Sequence, residues 1–141
     1  MEATSHNDLT WMLDELAAVP DVLHAVVLST DGLVVQKSTS LAQDAAELLA
    51  AGASSLYSVA SGTGRRFKSG PVQQVVIEYD EHTMFIAAAG ENARLAVVCN
   101  ADVDMGTVAY EMSRLVARIG QYLGAEIRPA TSSVSNGHNG A

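Results

Sequence analysis

Positive charge is what this chain has least of: eight Lys plus Arg stand against sixteen Asp plus Glu in 141 residues, a formal net charge of −8. A phosphate backbone has to be met by clustered basic groups, so nucleic acid is excluded as the expected partner. There is one cysteine, Cys99, which rules out an internal disulfide. Cys99, His24, His82 and His138 are scattered, with no C-x-x-C or H-x-x-x-H pair, so no zinc site is expected. Apolar runs are short. The longest, such as 84–89, fall far below the roughly 20 residues that cross a bilayer, and 1–7 is polar without a basic start. A soluble, cytoplasmic protein with no direct membrane insertion is the expectation. Disorder of the whole chain is excluded in turn, because 48% of the residues are hydrophobic and only 17% charged. A chain of this length can bury on the order of 70% of its unfolded surface in a single core.

Composition changes after Ile127. Pro129, Thr131, Ser132, Ser133, Ser135, Asn136, Gly137, Asn139 and Gly140 leave too few apolar groups to offset ordering entropy, so 128–141 is expected to be a disordered tail. Residues 1–6 form a short polar, flexible lead, and 7–127 form one domain without repeats or linkers.

Within that domain, Asn7 or Asp8 caps a helix whose Leu9, Met12, Leu13 and Leu16 repeat at i, i+3, i+4, i+7, and Pro20 ends it. Residues 22–28 and 33–37 read as strands joined by the Ser29-Thr30-Asp31-Gly32 turn, in which Asp bonds local backbone and Gly takes positive φ. Ser40 or Thr39 then caps a long Ala-rich helix over 41–61, with a stop at Gly62-Thr63-Gly64. Strands follow over 73–79, 83–89 and 94–99, and their turns, Asp80-Glu81-His82 and Gly90-Glu91-Asn92, are short enough to force antiparallel neighbours. Asp102 or Asp104 opens a closing helix with Met105, Val108, Met112, Leu115, Val116, Ile119 and Leu123 on one stripe, ending at Gly124. The order α-β-β-α-β-β-β-α predicts an α/β sandwich: a five-stranded antiparallel sheet flanked by helices.

Catalytic machinery is not visible in these elements. Gly62-Thr63-Gly64-Arg65-Arg66 lacks the Lys and Ser or Thr of a phosphate loop, and it follows a helix instead of opening one. Asp80, Glu81 and His82 diverge from a hairpin tip and read as a solvated turn. Cys99 sits in the run Leu95-Ala96-Val97-Val98, where burial raises a thiol pKa and makes it inert. His24 marks the less buried face of its strand. Arg65, Arg66 and Lys68 either meet an acidic partner or guard an edge strand. The reading is a protein without catalytic residues, cofactor or metal.

The long helix is more informative. At about 100° per residue, Leu41, Ala45, Leu48, Gly52, Leu56 and Val59 form one stripe, which suits packing on the sheet. Ala42, Ala46, Leu49, Ala53, Tyr57 and Ala60 form a second, and Gln43, Glu47, Ser54, Ser58 and Ser61 hold the remaining face. A helix on a small sheet has one face to bury there. The second stripe is therefore expected to be an association surface, in its simplest form a symmetric one.

Four strings resemble the roadblock (dynein light chain) family: Leu9-Thr10-Trp11-Met12-Leu13-Asp14-Glu15-Leu16, His24-Ala25-Val26-Val27-Leu28-Ser29-Thr30-Asp31-Gly32-Leu33, Gly62-Thr63-Gly64-Arg65-Arg66-Phe67 and Val108-Ala109-Tyr110-Glu111-Met112. They are most similar to the bacterial branch, the roadblock proteins of actinobacterial conservons. The resemblance implies a homodimer in which the long helices pair and strand 73–79, with Gln74, Val76 and Glu78, meets its mate. It also implies a non-catalytic scaffold or regulator of a Ras-like small GTPase, coupled to a histidine-kinase-like membrane protein that would recruit it to the inner face of the membrane. Gln43, Glu47, Ser54, Ser58 and Ser61 are then the GTPase-facing candidates. The alternative is a small-ligand sensor domain, which needs a cavity with convergent polar groups.

Overall fold

The computed structural model describes the backbone of residues 2–139 and the side chains of residues 9–123. The element order is α1 (Glu2–Ala17), β1 (Val22–Ser29), β2 (Val34–Lys37), α2 (Gln43–Arg66), β3 (Val75–Glu78), β4 (His82–Ala88), β5 (Ala93–Asn100) and α3 (Met105–Asn139). The five strands form one sheet in the order β2-β1-β5-β4-β3, with every neighbouring pair antiparallel. This is the expected fold. The order also leaves β2 and β3 as its two edges.

Strand alternation divides the core into two layers. Ala25 and Val27 of β1, Phe85 and Ala87 of β4 and Leu95, Val97 and Cys99 of β5 point to one face, where Leu9, Met12, Leu13 and Leu16 of α1 and Val108, Met112, Leu115 and Ile119 of α3 cover them. Val26, Leu28, Met84, Ile86 and Ala96 point to the other face, under Leu41, Ala46, Ala50, Ala53 and Tyr57. The β4–β5 turn is pinned to α3 by two glycines. Gly90 has φ 83°, and a Cβ on it would lie 3.2 Å from the Gly120 Cα, so a side chain there meets backbone.

Local chemistry accounts for most element boundaries. Gly32 at φ 84° closes the first hairpin, with its N–H donating to the Ser29 carbonyl at 2.9 Å. Asp104 caps α3, its Oδ1 accepting from the Thr107 N–H at 3.2 Å. Other boundaries differ from the sequence reading. The N-cap of α2 is Ala42, without a side-chain cap. Thr39, a candidate for that role, instead bonds α1: its N–H and hydroxyl donate to the two Asp14 carboxylate oxygens at 2.7 and 2.6 Å. Helix α2 passes through Gly62-Thr63-Gly64 to Arg66, with the Thr63 hydroxyl donating to the Val59 carbonyl at 2.9 Å. Two glycines cost the helix only about 2 kcal/mol in total, which packing of its preceding turns can outweigh. Helix α3 likewise continues beyond Gly124. The expected flexible lead 1–6 and disordered tail 128–141 fall on residues whose side chains lie outside those described.

Candidate association surface

Helix α2 presents the sheet with the opposite stripe from the one expected. Ala46, Ala50, Ala53 and Tyr57 are buried against it, whereas Leu48 is 77%, Val59 68% and Leu56 37% exposed. Ala45 and Gly52 of the same stripe are exposed, and only Leu41, before the helix begins, joins the core. The reason is volume. The sheet face below carries the large side chains Val26, Leu28, Met84 and Ile86, and a helix can approach such a surface closely only with small residues underneath. Of the six residues expected at the association surface, Ala46, Ala53 and Tyr57 are thus core, Leu49 and Ala60 are half-buried, and Ala42 is the exposed N-cap.

The stripe left outside is Ala45, Leu48, Gly52, Leu56 and Val59. Gly52 stands at its middle in a helix interior, and a Cβ added there would meet nothing within 4 Å. Glycine costs a helix about 1 kcal/mol against alanine, and no contact among the described residues accounts for it. The stripe lies on the same side of the sheet as the half-buried Val75 and Ile77 of β3, the edge strand. Of the β3 candidates, Gln74 just precedes the strand and is exposed, as is Glu78, while Val76 is half-buried against the α1–α3 layer.

Gln43, Glu47 and Ser58 are exposed, whereas Ser54 and Ser61 are half-buried. Gln43 Nε2 donates to Glu47 Oε2 at 3.1 Å along the helix. The Ser54 hydroxyl donates to the Thr30 carbonyl at 3.1 Å, tying α2 to the β1–β2 turn. Ser54 therefore serves the fold before it serves any partner.

Two features here have no signal in local sequence. Arg94 of β5 reaches over the Tyr57 ring, 4.2 Å from its centroid, which locks the C-terminal half of α2 to the sheet. Beside the N-terminal half, Leu49, Met84 and Val98 floor an open groove of about 490 Å³ whose rim is Tyr79, Asp80, Glu81 and His82. Both bring together residues from elements far apart in the chain.

His24 also faces the α2 side. Its Nδ1 is buried without a hydrogen-bond partner, and burial first, then His82, hold its pKa below 6.5. The neutral form is favoured in the folded chain, so this contribution to stability is present above about 6.5 and declines as pH falls through that value. Cys99 is fully buried, and burial, then the Asp21 charge, push its thiol from 9.0 up to about 11. Between those values the unfolded chain loses the proton before the folded one does. Stability is therefore expected to fall by on the order of 2 kcal/mol from about pH 8 to about pH 10.5. Urea unfolding of the wild type and of Cys99→Ala at both pH values checks this, because the substitution should remove that part of the pH dependence.

Among the described residues no group of three or more His, Cys, Asp or Glu is placed to hold a metal ion, and no helix is long and apolar enough to cross a membrane.

A five-stranded antiparallel sheet in the order α-β-β-α-β-β-β-α, with one long helix on one face and two on the other, defines a roadblock-type domain. The chain belongs to the Roadblock/LC7 domain family, whose model matches residues 9–99. A Roadblock/LC7 domain from Streptomyces avermitilis is 40% identical, with 81% of this chain and 96% of that one covered and a TM-score of 0.77. The gliding protein MglB from Thermus thermophilus is 15% identical over 84% of this chain and 90% of its own, with a TM-score of 0.75. MglB of Myxococcus xanthus is 10% identical over 84% and 96%, with a TM-score of 0.77. These last two likenesses concern the fold alone. No curated protein matches the chain.

Proposed function

We propose that two copies of this chain pair through the exposed α2 stripe and the free edge of β3, and that the pair is a non-catalytic platform for a Ras-like small GTPase. The observation that carries the pairing is the exposed run of Leu48, Leu56 and Val59 with Gly52 at its centre. Large apolar side chains in a row favour burial, and a glycine among them lets a second backbone approach closely. Edge strands left open invite pairing as well, so both features favour the same symmetric contact.

The GTPase is supported by membership of the Roadblock/LC7 family and by the bacterial strings quoted above. Gln43, Glu47 and Ser58 then face the partner from beside the helix seam, polar groups suited to a reversible, wet contact. Coupling to a histidine-kinase-like membrane protein, with recruitment to the inner face of the membrane, completes the reading. The small-ligand sensor alternative draws on the groove beside Leu49.

The test is co-precipitation of a Ras-like GTPase of the conservon type, loaded with GDP or GTP, by the purified chain. Capture of the GTPase in at least one nucleotide state, with no GTP bound by the chain alone, is the expected result. Direct GTP binding by the chain, or no capture in either state, would overturn the proposal.

A further inference from the structure

The two edges of the sheet present different backbone to a strand that might be added. On the β3 side, the Tyr79 N–H donates to the His82 carbonyl at 2.7 Å, and the register runs on unbroken, with Ile77 opposite Met84 and Val75 opposite Ile86. By alternation, Val75 and Ile77 bond inward to β4, whereas Val76 and Glu78 direct their N–H and C=O groups to the open edge. Among the described residues no side chain occupies those groups. This edge is regular and free.

The β2 edge is neither. The Ser38 N–H donates to the Ala25 carbonyl at 2.8 Å, so by the same alternation Gln36, opposite Val27, bonds inward, and Lys37, opposite Val26, points its N–H outward. That N–H is already engaged. It donates to the Oε1 of Gln36, the preceding side chain, at 3.1 Å. Just before it the pairing loses step: Gln36 lies opposite Val27 and Val34 opposite Leu28, which leaves Val35 as the extra residue of a bulge. What is being guarded shows in the composition. Leu33-Val34-Val35 is apolar and rich in β-branched residues, and Leu33 is 66% exposed, a segment that would invite strand addition at an unguarded edge.

We propose that Gln36 closes the β2 edge to an added strand, so that β3 is the edge through which this chain extends its sheet. An incoming strand needs the Lys37 N–H as a donor, and the Gln36 oxygen holds it. The Lys37 charge and the bulge act in the same direction, the first by repelling burial and the second by spoiling the even spacing of the outward groups. The consequence concerns how far assembly can go. Two copies joined at β3 present a β2 edge at each end of their common sheet, and a second two-fold contact there would alternate with the first into an open ribbon instead of a closed pair. Gln36 thus decides which edge pairs and stops growth at two copies. The stop at two rests on the pairing proposed above, whereas the closure of β2 does not.

Removing the acceptor tests it. Lys37→Thr alone keeps the Gln36 oxygen and should sediment like the wild type; adding Gln36→Met, similar in length but without that oxygen, should bring species larger than the dimer that grow with concentration. With Leu48→Asp and Val59→Asp also present to disable the α2 seam, growth should stop at two chains. If the wild type is a dimer and the Gln36→Met, Lys37→Thr variant keeps its mass, or Lys37→Thr alone grows as far, the closure by Gln36 is wrong and the β3 dimer stands. A monomeric wild type whose two-site variant dimerises would instead remove the β3 pairing and keep the closure. Amide exchange reads the cap in the single chain, without any association. Corrected for intrinsic rates, the Lys37 N–H should exchange about fivefold faster in Gln36→Met and at the wild-type rate in Gln36→Glu, whose carboxylate accepts the same bond. An unchanged Lys37 rate in Gln36→Met would overturn the proposal as well.

Discussion

The double substitution Leu48→Asp with Val59→Asp is expected to leave the chain folded and monomeric. Both side chains are largely exposed in the isolated fold, 77% and 68%, so aspartate costs the monomer little. In the pair each substitution occurs twice, placing four carboxylates at a helix seam where an unpaired buried charge costs several kcal/mol. The dimer dissociation constant should rise on the order of a thousandfold at an unchanged thermal midpoint of the monomer. GTPase capture should weaken with it. Ala53→Asp offers the contrast. That residue is fully buried against the sheet, so a charge there attacks folding, and circular dichroism should show loss of structure instead of a well-folded monomer. If the double variant dimerises like the wild type, the exposed stripe is not the seam.

Phe85→Ala is expected to have the largest effect on stability. Phe85 is the largest fully buried side chain among the described residues, centred on β4 under the α1–α3 layer, and opposite Val97 in the β4–β5 register. Truncation removes its transfer free energy and leaves a cavity between a sheet and two helices, for a cost of about 3–5 kcal/mol. Domains are stabilised by only about 5–15 kcal/mol in total. Denaturant unfolding should show the midpoint fall steeply, and a change below about 1 kcal/mol would mean that this layer is not closely packed.

The contrast between these two sites shows how much the sequence discloses. Alternation and turn chemistry are local properties, which is why the antiparallel sheet and the Gly32 turn could be read directly from residue order, and the α3 cap narrowed to Asp102 or Asp104, of which the structure uses Asp104. The faces of α2 could not. Both stripes are apolar, and which one touches the sheet depends on the bulk of Val26, Leu28, Met84 and Ile86 on two different strands. Reading large residues as the buried ones inverted the assignment, since the helix packs through alanines. Gly62 and Gly64 misled for a similar reason: local propensity favours a stop there, whereas Tyr57, held by Arg94 and the Val72 carbonyl, fixes the preceding turns. The groove was invisible because its floor and rim come from α2, β4, β5 and the β3–β4 turn, elements that meet only in the fold.

Sedimentation equilibrium of the wild-type chain at micromolar concentration tests most directly whether α2 and β3 form a surface for a second copy. A mass twice the 14.8 kDa of one chain is the predicted result. A single species at 14.8 kDa across that concentration range would contradict it.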